Sequence, residues 1–355
     1  MKLLLFFLLT LQSFACQVPV FRYALERWQA DSFRLQLITT EEAPPQLTKL
    51  PQHLNLEFEV INLEKLTPHQ KLAIVGLEKI TQFPTYLLHP PESWPNSDPL
   101  VFQGTESSLK NILDSPLRQR IKNDLLEGES TVWVLVEGSD AAANEATFKQ
   151  LEESLAKAQS QITIPDGVIQ ADQVGKVGDD ISLDDVLRST IPLKISFKIE
   201  RIKGTDPAEQ TFLKILTANR PSPSDEPLVV PIFGRGRTPG PLLGSSITPK
   251  ATLDACEYLC GACSCQVKSG NPGYDLLFLA NWQENLQSGL VVIDKQLPSV
   301  LPSLNDQSAP SEPQKSPSDK NKLNTYVFTL PNLLWLAIPI ALIIGTIFLL
   351  KKNKP

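Results

Sequence analysis

Residues 54–63 read LNLEFEVINL, where Leu54, Leu56, Phe58 and Val60 alternate with Asn55, Glu57 and Glu59. Side chains on a β-strand point to opposite faces in turn, so this period of two predicts a half-buried strand. Working outward, residues 33–39 (FRLQLIT) repeat the pattern through Phe33, Leu35 and Leu37. Downstream, residues 67–80 switch to a helical period through Leu72, Val75, Leu77 and Ile80. The run FPTYLL at 83–88 and the apolar 100–102 read as two more strands, and 106–126 as one helix. The first half is therefore strand, connector, strand, helix, two strands, helix.

The second half repeats that order. TVWVLV (131–136) is a predicted strand, and 145–158 a helix with Phe148, Leu151 and Leu155 on one side. LKISFKIERI (193–202) alternates strongly, and a helix begins at Asp206 with Pro207 in its first turn. LVVPIF (228–233) is a strand with an inserted proline, and 248–260 a helix capped by Thr248 with Pro249 at its first position. Residues 163–189 show no sustained period and read as a long loop or insertion. The expected fold class is α/β, with two α/β units in tandem.

This element order, together with Pro84 ahead of Thr85-Tyr86-Leu87-Leu88, resembles the thioredoxin fold, in which a cis-proline precedes the third strand. The resemblance covers most of residues 30–265 and implies one thioredoxin-like unit over 16–128 and a second over 129–296. Catalytic members of that family open the helix after the first strand with Cys-x-x-Cys, where the helix N-terminus lowers the thiol pKa. The corresponding stretches here are TTEEAPPQL (39–47) and EGSDAAANEA (137–146), and neither holds a cysteine. The resemblance thus implies two units without the family's active site.

The ends of the chain suggest an exported, anchored protein. Residues 1–15 carry one lysine, a short apolar run and small residues before Cys16, the pattern of a secretory signal. Cleavage after Ala15 would leave Cys16 first, which raises a lipoprotein reading, although Ser13 and Phe14 fit that signal poorly; otherwise Cys16 is an ordinary structural cysteine. Residues 297–325 are rich in Pro, Ser and charge and read as a linker. Residues 326–355 hold an apolar run from Leu333 to Leu350 followed by Lys351, Lys352 and Lys354. At about 1.5 Å per residue that run is just long enough to cross a bilayer. The lysines place the tail in the cytoplasm and the bulk of the chain outside it, in a single-pass arrangement.

Composition narrows the function. The net charge of −6 argues against a nucleic-acid partner. Three histidines, His53, His69 and His89, lie scattered, and Met1 is the sole methionine, so a methionine-ligated copper site is excluded. No motif implies a cofactor.

The densest chemistry is CEYLCGACSC (256–265), which gathers Cys256, Cys260, Cys263 and Cys265, four of the five cysteines. In an oxidising compartment such a cluster defaults to structural disulfides, with Cys16 making the mature count odd. Zinc held by Cys256, Cys260, Cys263 and Cys265 is a second reading, although structural zinc sites usually join more widely separated pairs. Cys256-x3-Cys260-x2-Cys263 also has the spacing of an iron–sulfur ligand set in radical-SAM enzymes, but in the wrong place and compartment. Redox cycling of Cys260 and Cys263 is a further reading, opposed by their position at a helix C-terminus, where the dipole disfavours a thiolate.

Gly234-Arg235-Gly236-Arg237 is either a solvated turn or a clamp in which Arg235 and Arg237 hold a carboxylate or phosphate. Residues 18–28 (VPVFRYALERW) put Val20, Tyr23, Ala24 and Arg27 on one helical face, so this segment is expected to dock on the body and bring Cys16 with it. CQVPVFRYALERW, GRGR and CGACSCQVKSGNPGYDLL are similar to strings in a family of exported bacterial proteins of unknown function. The leading functional expectation is a non-enzymatic protein binding an envelope partner. The alternative is a thiol–disulfide or metal-binding protein acting through the cysteine cluster.

Overall fold

The computed structural model describes residues 16–170, 173, 182–218, 225–263 and 267–287. The expected signal, linker and apolar run from Leu333 lie outside them. Among the described residues no helix is long and apolar enough to cross a membrane.

The chain enters through helix α1 (Val20–Arg27) and lays down β1 (Phe33–Thr39) and β2 (Leu56–Asn62) as parallel neighbours. A short helix, α2 (Pro68–Leu72), leads to β3 (Thr85–His89) and β4 (Leu100–Gln103), each antiparallel to its neighbour. The sheet order is β2-β1-β3-β4. Helices α3 (Glu106–Leu113) and α4 (Pro116–Leu126) close the first half.

The second half follows the same plan with β5 (Thr131–Glu137), α5 (Ala141–Gln161), β6 (Phe197–Lys203), α6 (Gln210–Leu216) and β7 (Leu228–Ile232). Two-residue strands β8 (Arg237–Thr238) and β9 (Leu242–Leu243) precede α7 (Pro249–Cys260). The described part ends in β10 (Tyr274–Asp275), paired with β8, and α8 (Trp282–Gln287). The second sheet has the order β6-β5-β7-β9, with β5 parallel to β6 and antiparallel to β7. Strand order and direction match the first sheet.

Register makes the correspondence residue by residue. Phe33 sits beside Leu56 and Ile38 beside Thr85; Thr131 sits beside Phe197 and Val136 beside Leu228. Pro84 precedes Thr85 as Pro227 precedes Leu228. Gly104 follows Gln103, the partner of Thr85, as Gly244 follows Leu243, the partner of Leu228. The Phe83–Pro84 bond is cis, at the place the sequence suggested. The mixed α/β class is as expected.

Several elements differ from expectation for local reasons. The predicted helix over 67–80 stops at Leu72, and Gly76 turns the chain at φ 89° before a short 3₁₀ turn. The predicted helix over 106–126 is two helices, because Ser115 caps a new start, its side chain accepting from the Arg118 N–H, and Pro116 occupies the first position. Residues 193–196 stay outside β6.

One apolar core draws on both sheets. It gathers Leu35, Leu37, Tyr86 and Ile121 with Val132, Val134, Phe212 and Val230. The other face of β5 packs Trp133 and Leu135 against Leu151 and Leu155 of α5 and Cys256 of α7. Buried on both faces, β5 reads as a continuous apolar run rather than an alternation.

Candidate functional site

The three strings singled out in the sequence converge. Pro19 bridges Ala262, the Val20 N–H donates to the Gly261 carbonyl at 3.1 Å, and the Cys263 N–H donates to the Val18 carbonyl at 3.1 Å. Cys16, Val18, Phe21, Tyr23 and Trp28 share one apolar cluster with Leu259, Cys260 and Cys263. The segment docks as expected, but α1 is buried on more than its apolar face, with Arg22 and Glu26 enclosed as well.

Burial of those charges demands partners, and the chain supplies them. Arg22 and Glu26 pair at 2.9 Å with both side chains fully enclosed. Glu26 also accepts from the backbone N–H groups of Arg188 at 2.7 Å and Ser189 at 3.1 Å. Arg27 donates to the carbonyls of Leu183, Asp184 and Val186. The described end of the expected insertion is thus tied down by one helix. Burial pulls the Arg22 and Arg27 guanidinium pKa values below the ordinary range, with Glu26 opposing it in both.

The GRGR string is neither a solvated turn nor an open clamp. Arg235 donates from Nε to the Leu25 carbonyl at 2.8 Å and from its terminal nitrogens to the Glu26 carbonyl and Gln29 Oε1. It thereby places a cation on the C-terminal carbonyls of α1, where the helix dipole favours one. Arg237 donates to Asp275 Oδ1 at 3.0 Å and to the carbonyls of Asn271 and Gly273, with its guanidinium carbon over the Trp28 ring. Lys268 completes the group through Asp31, at 2.6 Å, and Asp275. Burial pushes the Asp31 carboxyl up, but hydrogen bonds from Lys268 and Ser93 and the nearby positive charges outweigh it and hold it below its usual value. The glycines do permit close backbone approach, but to the chain itself. A Cβ on Gly234, at φ 59°, would lie 2.7 Å from that of Ala24, and one on Gly236 would strike the Phe278 ring.

The four described cysteines are sheltered. No disulfide joins Cys16, Cys256, Cys260 and Cys263 to one another, and all four are buried. The expected disulfide set is therefore absent among the described residues; Cys265 lies outside them. Cys256 and Cys260 stand one turn apart on α7, and each serves a different apolar cluster. Burial raises the Cys256 thiol pKa strongly and pushes Cys260 up to about 12, against a lowering hydrogen bond with Ser130. Cys16 is raised as well, mainly by burial, and donates to the Asp184 carbonyl at 3.0 Å. Among the described residues no three His, Cys, Asp or Glu side chains come together as metal ligands.

The two stretches in which the resemblance would place a Cys-x-x-Cys hold no cysteine. After β5, the Asp140 side chain accepts the N–H groups of Ala142 at 2.9 Å and Ala143 at 3.1 Å, so a carboxylate caps α5. After β1 there is one 3₁₀ turn, Pro45–Leu47, in place of a helix. His89 is buried in β3, His53 lies near Asn281, and His69 sits on exposed α2.

Sequence reading missed Glu26, Asp31, Lys268 and Asp275, which hold this assembly together. Their only trace was a charge inside an otherwise apolar or turn-rich string.

No family model and no curated protein matches the chain. Among solved structures it is similar to full-length ERdj5, a thioredoxin-like protein, at 10% identity and a TM-score of 0.21. The match covers 72% of this chain and 34% of that one, so the chain spans about a third of its length.

Proposed function

We propose that this is a membrane-anchored, extracytoplasmic protein whose two tandem thioredoxin-like units bind a partner at the cell envelope and perform no thiol chemistry. The observation that carries the reading is the state of the thiols. Cys256 and Cys260 are enclosed with raised pKa values, and the stretches directly after β1 (39–47) and β5 (137–146) hold no cysteine. A thiolate is the reactive species, and burial withholds it. The shared strand order and register of the two sheets support the tandem thioredoxin-like assignment. The stalk-like linker and the apolar run from Leu333 to Leu350 support anchoring.

The alternative is redox or metal chemistry at the cysteine cluster, favoured by one observation: Cys16, Cys260 and Cys263 share a single apolar cluster. Turnover decides between the two. Full-length protein in detergent should neither reduce insulin nor oxidise a dithiol peptide above the uncatalysed rate. Catalytic turnover in either assay would overturn the reading.

A further inference from the structure

We propose that the outer edge of β2 accepts an extended peptide as an added strand, and that this peptide alternates basic and apolar residues. The proposal rests on the partner-binding reading and names the kind of partner.

β2 pairs with β1 on one side, and among the described residues no strand pairs with its other side. None of its seven residues is buried. Such an edge presents unpaired N–H and C=O groups to any extended chain. Beside it lies an open groove of about 400 Å³, lined by Glu41, Glu42, Glu59, Val60 and Leu66 among others, with three carboxylates against one cation, Lys65. The groove exists because residues 40–55 cross from β1 to β2 with a single 3₁₀ turn. The equivalent crossover of the second sheet carries the 21-residue α5. Without a covering helix, Val60 is 42% exposed.

Charge specifies the occupant. Glu57 and Glu59 point to one face of β2 and Phe58 and Val60 to the other, so an added strand meets carboxylates and apolar side chains alternately. Among the described residues Glu41, Glu42, Glu57 and Glu59 make no ion pair, not even Glu57 with its register neighbour Arg34. Glu59 is held in place: the His89 ring N–H donates to Gln36 Oε1 at 2.8 Å, and Gln36 Nε2 donates to Glu59 at 3.1 Å. The corresponding edge strand of the second sheet is arranged oppositely. On β6, Lys198 pairs with Asp124, Glu200 with Arg120 and Arg201 with Glu145, so among the described residues only Lys203 of its four charged side chains makes no ion pair. At the same position in two alike sheets, one edge strand has three of its four charges paired within the fold, whereas Glu57 and Glu59 on the other make no ion pair among the described residues.

The test uses the full chain in detergent and two synthetic probes, a peptide alternating lysine and valine and one alternating glutamate and valine. Amide hydrogen exchange and fluorescence anisotropy are the readouts. The lysine peptide should slow exchange across residues 56–62 and bind roughly tenfold or more tightly than the glutamate peptide. The doubly reversed Glu57→Lys, Glu59→Lys chain should prefer the glutamate peptide, with a melting curve checking its fold. Equal affinity for the two probes, or no protection at 56–62, would overturn the proposal and leave the glutamates as guards against edge pairing. If the double variant does not fold, the comparison of probes on the unaltered chain decides alone. Failure here leaves the partner-binding reading standing, because that reading falls on thiol turnover instead.

Discussion

Arg237 and Asp275 pair at 3.0 Å with side chains only 5% and 3% exposed, closing the β8–β10 ribbon against the N-terminal helix. Asp275 also receives Lys268, so one carboxylate balances two cations. Removing it strands a buried guanidinium. Asp275→Ala should therefore cost about 3–5 kcal/mol in chemical denaturation, with Arg237→Ala similar. A change below about 0.5 kcal/mol, as for a surface residue, would show that the pair is not a structural tie.

Gly234 meets Ala24 of α1 where a Cβ would come within 2.7 Å, and its φ of 59° is itself unfavourable for alanine. Gly234→Ala should destabilise by about 1–3 kcal/mol. Ala24→Gly in the same chain should recover part of the loss, since it removes the clash while leaving the backbone strain. Additive losses in the double variant would refute the contact.

His89 supplies a pH dependence. Burial, aided by the Arg34 charge, lowers its pKa to about 4 from the usual 6.5. Below pH 6.5 the unfolded chain takes up a proton that the folded chain refuses until about pH 4. Stability from this residue is therefore complete above pH 6.5, falls as pH drops towards 4 and levels off below that. The loss should reach up to about 3 kcal/mol. Urea midpoints of the unaltered chain and His89→Gln should diverge in slope across that window; parallel curves would refute the shift.

Much of the fold was legible because alternation and capping are local signals. Residues 33–39 and 54–63 show their strands directly, and Thr248-Pro249 marks the start of α7. Ser115-Pro116 carried an equally local signal for the break between α3 and α4, masked by the helical period on either side. The site was less legible for a different reason. Arg235 finds its acceptor on Leu25, 210 residues away, and Arg22 its acceptor on Ser189, 167 residues away. Whether an arginine faces solvent or caps a distant helix depends on packing between elements, which no local pattern encodes. Cysteine spacing likewise fixes which sulfurs share a helix but says nothing of their burial.

The central claim is that the cysteines are structural, and the rate of thiol labelling tests it most directly. Full-length protein in detergent is treated with iodoacetamide at about pH 8, where an ordinary thiol is partly ionised, and modified residues are followed by peptide mass spectrometry. Cys256 and Cys260 should stay unmodified in the native chain and react promptly once denaturant is added. Rapid native labelling of Cys260, or protection of Cys260 and Cys263 by a mutual disulfide that opens under mild reductant, would contradict the account and make the cluster an active site.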